Sequence, residues 1–219
     1  MPKELLPLGG TTLIGHALAE AARAGFEAAI VVLSPSKDQV RQFLADNELP
    51  LPVDIVMQPL PLGTGDAVVR SWQGEPVAVL LPDDVVLGTE HWTSLTELHH
   101  RDGAATLCVR PVPYETTGRF GIADCDGDRV MGLVEKPRRG TSTSNLAIFG
   151  RYVVTEAVMS GLRALRSEGE LELTDGFAAA IAVPPGVRAV RFGGEIYDCG
   201  TPAAYAESTT RFPANAPSS

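Results

Sequence analysis

Val77-Ala78-Val79-Leu80-Leu81-Pro82-Asp83-Asp84 is the stretch from which the rest of the chain is read. Five apolar residues in a row, closed by a proline, form the pattern of a strand covered on both faces. Pro82 has no N–H for the ladder and ends the strand. In α/β sheets, ligands bind beyond the carboxyl ends of strands, and two carboxylates stand there. Asp83 and Asp84 can therefore offer oxygen ligands to Mg²⁺, a hard cation that keeps several waters and touches substrate phosphates. Acidic residues after a strand are also common turn formers and helix caps, and on local sequence alone that is the commoner role.

Strand and helix patterns alternate upstream. Leu13, Ala17, Leu18, Ala21 and Ala22 recur at helical spacing, and Gly25 stops the helix. Ala28 to Leu33 and Val53 to Met57 read as strands. Val40, Phe43 and Leu44 mark a helix between them, with a cap expected in Ser34-Pro35-Ser36. Gln58-Pro59-Leu60-Pro61-Leu62-Gly63-Thr64-Gly65 is too rich in Pro and Gly for helix or central strand, and a helix is expected from Asp66 to Trp72. This alternation predicts an α/β fold with a mostly parallel sheet covered on both faces.

Downstream, His91 to His100 is helical by pattern and Ala104 to Val109 is a strand. The grammar then changes. Phe120 to Asp124 and Val130 to Glu135 flank the polar turn Asp126-Gly127-Asp128, which predicts a hairpin. Leu146 to Tyr152 and Val187 to Phe192 read as strands, and Val154 to Leu165, Leu173 to Ile181 and Thr201 to Arg211 as helices. The expectation is one domain over residues 1–212, with a β-rich peripheral part and a flexible tail over 213–219.

Composition narrows the function classes. The 219 residues carry 18 Lys+Arg against 27 Asp+Glu, a formal net charge of -9. An acidic chain is poorly suited to general nucleic-acid binding, which neutralises phosphates with basic side chains. It can still hold a small phosphorylated ligand in a local positive pocket. Cys108, Cys125 and Cys199 are an odd number, widely spaced, with no metal-ligand pattern, which fits a reducing compartment. Met1-Pro2-Lys3-Glu4 does not read as a secretory leader, and no apolar run approaches a membrane span. The cytoplasm is the expected location. P-loop, GxGxxG and GxSxG patterns are absent, which sets aside a dinucleotide-dependent dehydrogenase. His16, His91, His99 and His100 lack metal spacing, and Trp72 and Trp92 read as packing residues.

Further candidates each have a plainer reading. Asp198, in Ile196-Tyr197-Asp198-Cys199-Gly200, is a metal ligand from a distant part of the chain or an Asx turn. Lys136, in Glu135-Lys136-Pro137, presents a compact positive charge to a phosphate or pairs with Glu135 in solvent. Gly63-Thr64-Gly65 admits a ligand close to backbone N–H groups or is an ordinary turn. Glu170, Glu172 and Asp175 surround a helix start that Thr174 or Asp175 is expected to cap.

Taken in order, seven segments resemble the bacterial UTP–glucose-1-phosphate uridylyltransferases, a nucleotidyltransferase family. They are Pro2-Lys3-Glu4-Leu5-Leu6-Pro7-Leu8, Gln58 to Val68, Leu80-Leu81-Pro82-Asp83-Asp84, Val134-Glu135-Lys136-Pro137, Ser144 to Tyr152, Gly169 to Asp175, and Tyr197-Asp198-Cys199-Gly200. The resemblance runs from about residue 2 to residue 212. It implies a Rossmann-like α/β nucleotidyltransferase fold and Mg²⁺-dependent transfer of UMP from UTP to glucose 1-phosphate, giving UDP-glucose and pyrophosphate. It implies Asp83 and Asp198 as converging metal ligands and Lys3 near the nucleotide phosphates. It further implies Lys136 on the sugar phosphate, Glu135 on sugar hydroxyls, Gln58 and Gly63 at the uracil, and Gly121 and Gly150 as backbone positions near the ligand. Asp84 and Glu170 join the substrate-binding set, and self-association into a homo-oligomer is expected, with no nucleic-acid or membrane partner.

The chain also departs from the family. The family's first strand and Gly-rich loop have no counterpart ahead of Pro2-Lys3-Glu4, and Gly9-Gly10-Thr11-Thr12 stands where the family carries an Asp-Lys-Pro run. That loop normally cradles the triphosphate, so weak or absent turnover is expected of the 219 residues, and base choice is left open to thymidylyl transfer. A noncatalytic sugar-nucleotide-binding homologue is the rival from another class.

Overall fold

The computed structural model describes residues 1–165 and 169–213. A 3₁₀ turn at Lys3–Leu5 leads into β1 (Pro7–Leu8), β2 (Thr11–Thr12), α1 (Leu13–Arg23), β3 (Ala29–Leu33), α2 (Asp38–Asp46) and β4 (Val53–Met57). Then come α3 (Gly63–Ser71), β5 (Val77–Leu80), β6 (Asp84–Val85), α4 (Glu90–Asp102) and β7 (Ala105–Pro111). A second 3₁₀ turn at Tyr114–Arg119 precedes β8 (Gly121–Asp126), β9 (Arg129–Glu135) and β10 (Leu146–Val154). The chain closes with α5 (Glu156–Leu165), α6 (Leu173–Ala180), β11 (Val187–Arg191), β12 (Tyr197–Asp198) and α7 (Pro202–Arg211). From residue 214 on, the expected tail lies outside the described residues. No described helix is long and apolar enough to cross a membrane.

The chain divides into two compact units. The first comprises Met1–Pro59, Leu80–Thr89 and Gly194–Ser219. Here β3 and β4 pair in parallel, in register from Ala29↔Val53 to Leu33↔Met57. The helical spacing of α1 and α2 is used to cover this pair. Ile14 and Leu18 of α1 meet Val40 and Leu44 of α2 with Leu33 and Leu51 in one buried cluster. Thr12 caps α1, accepting from the Gly15 N–H at 3.1 Å, a bond worth about 1 kcal/mol. A second cluster joins Leu8, Leu13, Val85, Tyr197 and Cys199. It seats the short pair β6–β12 on which two predicted site residues lie.

The second unit comprises Leu60–Val79 and Glu90–Gly193. Its sheet has the strand order β5-β10-β7-β11-β9-β8, and β8 also pairs with β10. All nine residues of β10 are buried, and Ala105 to Val109 of β7 are buried too. The expected hairpin is present: β8 and β9 pair antiparallel from Gly121↔Glu135 to Asp126↔Arg129. Trp92 and Leu95 of α4 are buried, so Trp92 packs as expected.

Two expectations about the sheet need correcting. The pairing is mixed rather than mostly parallel: β3–β4 and β7–β11 are parallel, whereas β10–β7, β10–β8, β9–β11 and β8–β9 are antiparallel. An apolar run reports burial but not the direction of its neighbours, and the hairpin forces antiparallel partners into the sheet. The run at Val77 also sits at one end of the strand order and is half-buried, whereas β7 and β10 form the covered interior. The helix expected from Asp66 starts three residues earlier, at Gly63. Its first turn is held from outside, because Gly65 N–H donates to Leu171 O and Leu171 N–H to Leu62 O, both at 2.8 Å.

Candidate active site

In the first unit, Asp83 and Asp198 are 115 positions apart in sequence and meet in space. β12 runs antiparallel to β6, placing Asp198 opposite Asp84 and Tyr197 opposite Val85. The Cys199 N–H donates to Asp83 O at 2.7 Å, which extends the ladder past the short strands. Burial of Val85, Tyr197 and Cys199 drives this pairing and leaves the aspartates half-buried at its margin. Gly200 shows how closely the carboxylates approach. A Cβ there would stand 3.2 Å from Asp198 Oδ1 and 3.5 Å from Asp83 Oδ2. The Gly200 N–H donates to Asp198 Oδ1 at 2.9 Å, and Ser208 of α7 holds the Asp198 carbonyl at 2.8 Å.

Lys3 supplies a positive charge to this pair. Its Nζ lies 2.8 Å from Asp83 Oδ2. Burial works against the ammonium, but the Asp83 carboxylate, its hydrogen bond, and the more distant Glu4 and Asp84 outweigh it and raise the lysine's pKa. Lys3 is set by the 3₁₀ turn, whose next residue, Glu4, pairs with Lys37 at 2.9 Å. The Cys199 thiol is pushed up to about 11 by burial, with the neighbouring aspartates adding to the shift, so it stays protonated and is a poor nucleophile. Two converging carboxylates suit a hard divalent cation, and the ammonium already on Asp83 shows that the oxygens face a place for positive charge. Among the described residues no group of three or more potential ligands gathers. A cation here would complete its shell with water and substrate oxygens.

In the second unit, Glu135, Lys136 and Gly121 are together. Glu135 ends β9 opposite Gly121, the first residue of β8. A Cβ on Gly121 would fall 2.9 Å from Glu135 Oε2, so the missing side chain is what makes room for the carboxylate. Lys136 has φ +42°, in the left-handed region that β-formers avoid, and its Nζ stands 3.4 Å from Glu135 Oε1. The backbone there is pinned, since the Lys136 N–H donates to Phe120 O at 3.1 Å and Pro137 is buried. A left-handed residue directly after a strand breaks the alternation of side chains, and Glu135 and Lys136 form an ion pair instead of facing apart.

Gly63 has φ +90°, and a Cβ on it would lie 2.3 Å from Leu171 O. Only glycine allows the Leu62-to-Gly65 segment to dock on Leu171. Glu172 and Asp175 cap α6 reciprocally, and the Asp175 carboxylate takes the Glu172 N–H at 3.0 Å. Asp175 is thus the cap partner that the sequence suggested, while the N-cap itself is Glu172 and the Thr174 hydroxyl is bonded elsewhere. Gly150 is buried in β10, Glu170 is exposed one residue before Leu171, and Gln58 donates its N–H to Leu33 O at 2.8 Å. Asp84 sits half-buried in β6. Sequence reasoning missed the Thr174 contact with Glu135, because a hydrogen bond across 39 positions leaves no local spacing to read.

Comparison with known proteins bears on this arrangement. A family model described as nucleotidyl transferase matches residues 1–214. The chain belongs to the nucleotidyl transferase family. Among curated relatives, it is similar to the UTP–glucose-1-phosphate uridylyltransferase of Komagataeibacter xylinus, with 33% identity over 92% of this chain and 82% of that protein. The enzyme of the same name from Bacillus subtilis (strain 168) is also 33% identical, over 97% of this chain and 84% of the relative. A solved structure of UTP-bound UGPase from Acinetobacter baumannii superposes with a TM-score of 0.80 at 27% identity, covering 97% of this chain and 86% of that one. As a nucleotidyl transferase with this α/β architecture, the chain carries its paired aspartates and its Glu-Lys step on the elements described above.

Proposed function

We propose that this nucleotidyl transferase moves UMP from UTP to the phosphate of α-D-glucose 1-phosphate, releasing pyrophosphate and forming UDP-glucose, with Mg²⁺. The observation that carries the reading is the approach of Asp83, just ahead of β6, and Asp198, on β12, with Lys3 against Asp83. The uridylyl group and glucose come from the relatives' names and from the resemblance of the Gln58–Gly63 and Glu135–Lys136 segments to the family's.

The chemistry needs little acid–base help. A sugar-phosphate oxygen is already anionic and attacks the α-phosphorus of UTP; the bond to the bridging oxygen breaks and pyrophosphate leaves with its electron pair. Charge crowding is the obstacle, so positioning and positive charge provide the rate. Asp83 and Asp198 would hold Mg²⁺, which would supply charge neutralisation at the phosphates. Lys3 exchanges its hold on Asp83 for the nucleotide phosphates. Lys136 takes the sugar phosphate and Glu135 accepts hydrogen bonds from sugar hydroxyls. Gln58 and the Gly63 backbone face the uracil. No covalent protein intermediate is required, in keeping with the protonated Cys199 thiol. The same reading sets the reaction in the cytoplasm and in a self-associating protein.

Phosphorus NMR of the chain with glucose 1-phosphate, Mg²⁺ and each of UTP, dTTP, CTP and GTP tests it. The expected product is UDP-glucose with equimolar pyrophosphate, formed slowly, as the departure at the triphosphate cradle requires, and best from UTP, and Asp83→Asn or Asp198→Asn lowers that rate by about 100-fold or more. Preference for dTTP would make the chain a thymidylyl transferase. Binding of UDP-glucose without any turnover would overturn the enzymatic reading in favour of a noncatalytic homologue.

A further inference from the structure

Thr174 is nine-tenths buried near the start of α6, and its hydroxyl caps nothing. It donates instead to Glu135 Oε2 at 2.9 Å. The same carboxylate oxygen lies over Gly121, where a Cβ would stand 2.9 Å from Glu135 Oε2 and 3.1 Å from Thr174 Cγ2. The two Glu135 oxygens thus have different surroundings. Oε2 is held against Thr174 above a glycine, while Oε1 faces the Lys136 ammonium at 3.4 Å.

Thr174 is itself rigidly placed. Glu172 and Asp175 cap the helix around it, the Leu173 N–H donates to Thr64 Oγ1 at 2.9 Å, and the Thr64 hydroxyl donates to Glu172 Oε2 at 2.8 Å. A threonine in a helix divides between two χ1 rotamers, and with the backbone fixed the bond to Glu135 selects one of them. A free glutamate at a strand end would sample several rotamers, and ordering it on binding would cost part of the gain from each sugar hydrogen bond.

We propose that Thr174 is a positioning residue that locks Glu135 in one rotamer, with Oε1 left to serve the sugar. This rests on the reading of Glu135 as the sugar-hydroxyl acceptor. The residues at Gly63–Thr64 and at Glu135 are then joined through a single brace, Leu171 to Asp175, so both depend on how α6 begins.

The test is calorimetric titration of the full chain with UDP-glucose and with UDP, which isolates the contribution of the sugar as a ratio of affinities. Wild type is expected to prefer UDP-glucose. Thr174→Val keeps the shape and removes the hydroxyl, and should lower that ratio about tenfold or more, the loss of one hydrogen bond to a charged group, while UDP affinity holds. Thr174→Ser should restore it, which a purely structural role for the methyl group would not allow. Where the valine variant fails to fold, Thr174→Ala against Thr174→Ser gives the same comparison. A ratio unchanged in Thr174→Val but lowered in Glu135→Gln would overturn the role of Thr174 and leave the function standing. A wild-type chain with no preference for UDP-glucose over UDP would overturn the functional reading and this inference with it.

Discussion

Lys136 combines a charge the function uses with a backbone the fold resists. Its φ of +42° is costly for a residue with a Cβ, and the following proline restricts it further. Such strain persists where the surroundings over-determine it, and here Phe120 O and the buried Pro137 do so. The strain is separable from the charge by comparing two variants that both lack the ammonium. Lys136→Gly should be more stable than Lys136→Ala by about 0.5–1 kcal/mol in chemical denaturation, after allowing for glycine's greater freedom in the unfolded chain. Both should bind glucose 1-phosphate more weakly than wild type. An alanine variant as stable as the glycine variant would show that the backbone stores no strain there. Residues of this kind were partly legible beforehand. Asp83 and Lys136 announce themselves because each follows a strand-like run. The left-handed turn at Lys136 does not, since nothing but its own side-chain type marks the position and lysine is a poor marker of positive φ.

Among the elements, α1 shows how a helix with an ordinary amphipathic pattern also carries a pH-sensitive contact. Leu13, Ile14 and Leu18 are buried as their spacing requires. His16 is buried with them, 7% exposed, with Nε2 2.8 Å from Leu8 O and its ring 5.3 Å from that of Phe212. A carbonyl only accepts, so Nε2 carries the proton. Burial lowers the imidazole pKa, only partly opposed by the bond to Leu8. The unfolded chain therefore takes up a proton at a higher pH than the folded chain does. Stability is full above the ordinary histidine value of 6.5, falls as the pH drops below it, and stops falling on this account below the folded pKa. The slope reaches at most about 1.4 kcal/mol per pH unit. His16→Gln retains a donor to Leu8 without the titration. The difference in thermal midpoint between variant and wild type should shift in favour of the variant from pH 7 to pH 5; a constant difference would contradict a buried neutral His16. Long periodic elements such as α1 and the β8–β9 hairpin were readable from sequence. The two-residue strands β1, β2, β6 and β12 were not, because two residues cannot display an alternation. Yet β6 and β12 bring the aspartates together.

For the whole molecule, the α/β class was legible and the sheet's mixed direction was not. Strand order depends on which edges meet, and β10 and β7 meet antiparallel although their apolar runs would serve equally in a parallel sheet. The same limit applies to the site. Asp83 and Asp198 are far apart in sequence, and only the seven-segment resemblance brought them together before the β6–β12 ladder did so in space. That convergence is the claim on which metal binding and phosphoryl chemistry both rest. It is tested most directly by titrating Mn²⁺, a spectroscopic stand-in for Mg²⁺, into the nucleotide-free chain and counting bound ions by electron paramagnetic resonance. The account expects one class of site whose affinity falls at least about tenfold in Asp83→Asn and equally in Asp198→Asn, each losing one charged oxygen ligand. Wild-type affinity retained in either variant would contradict it.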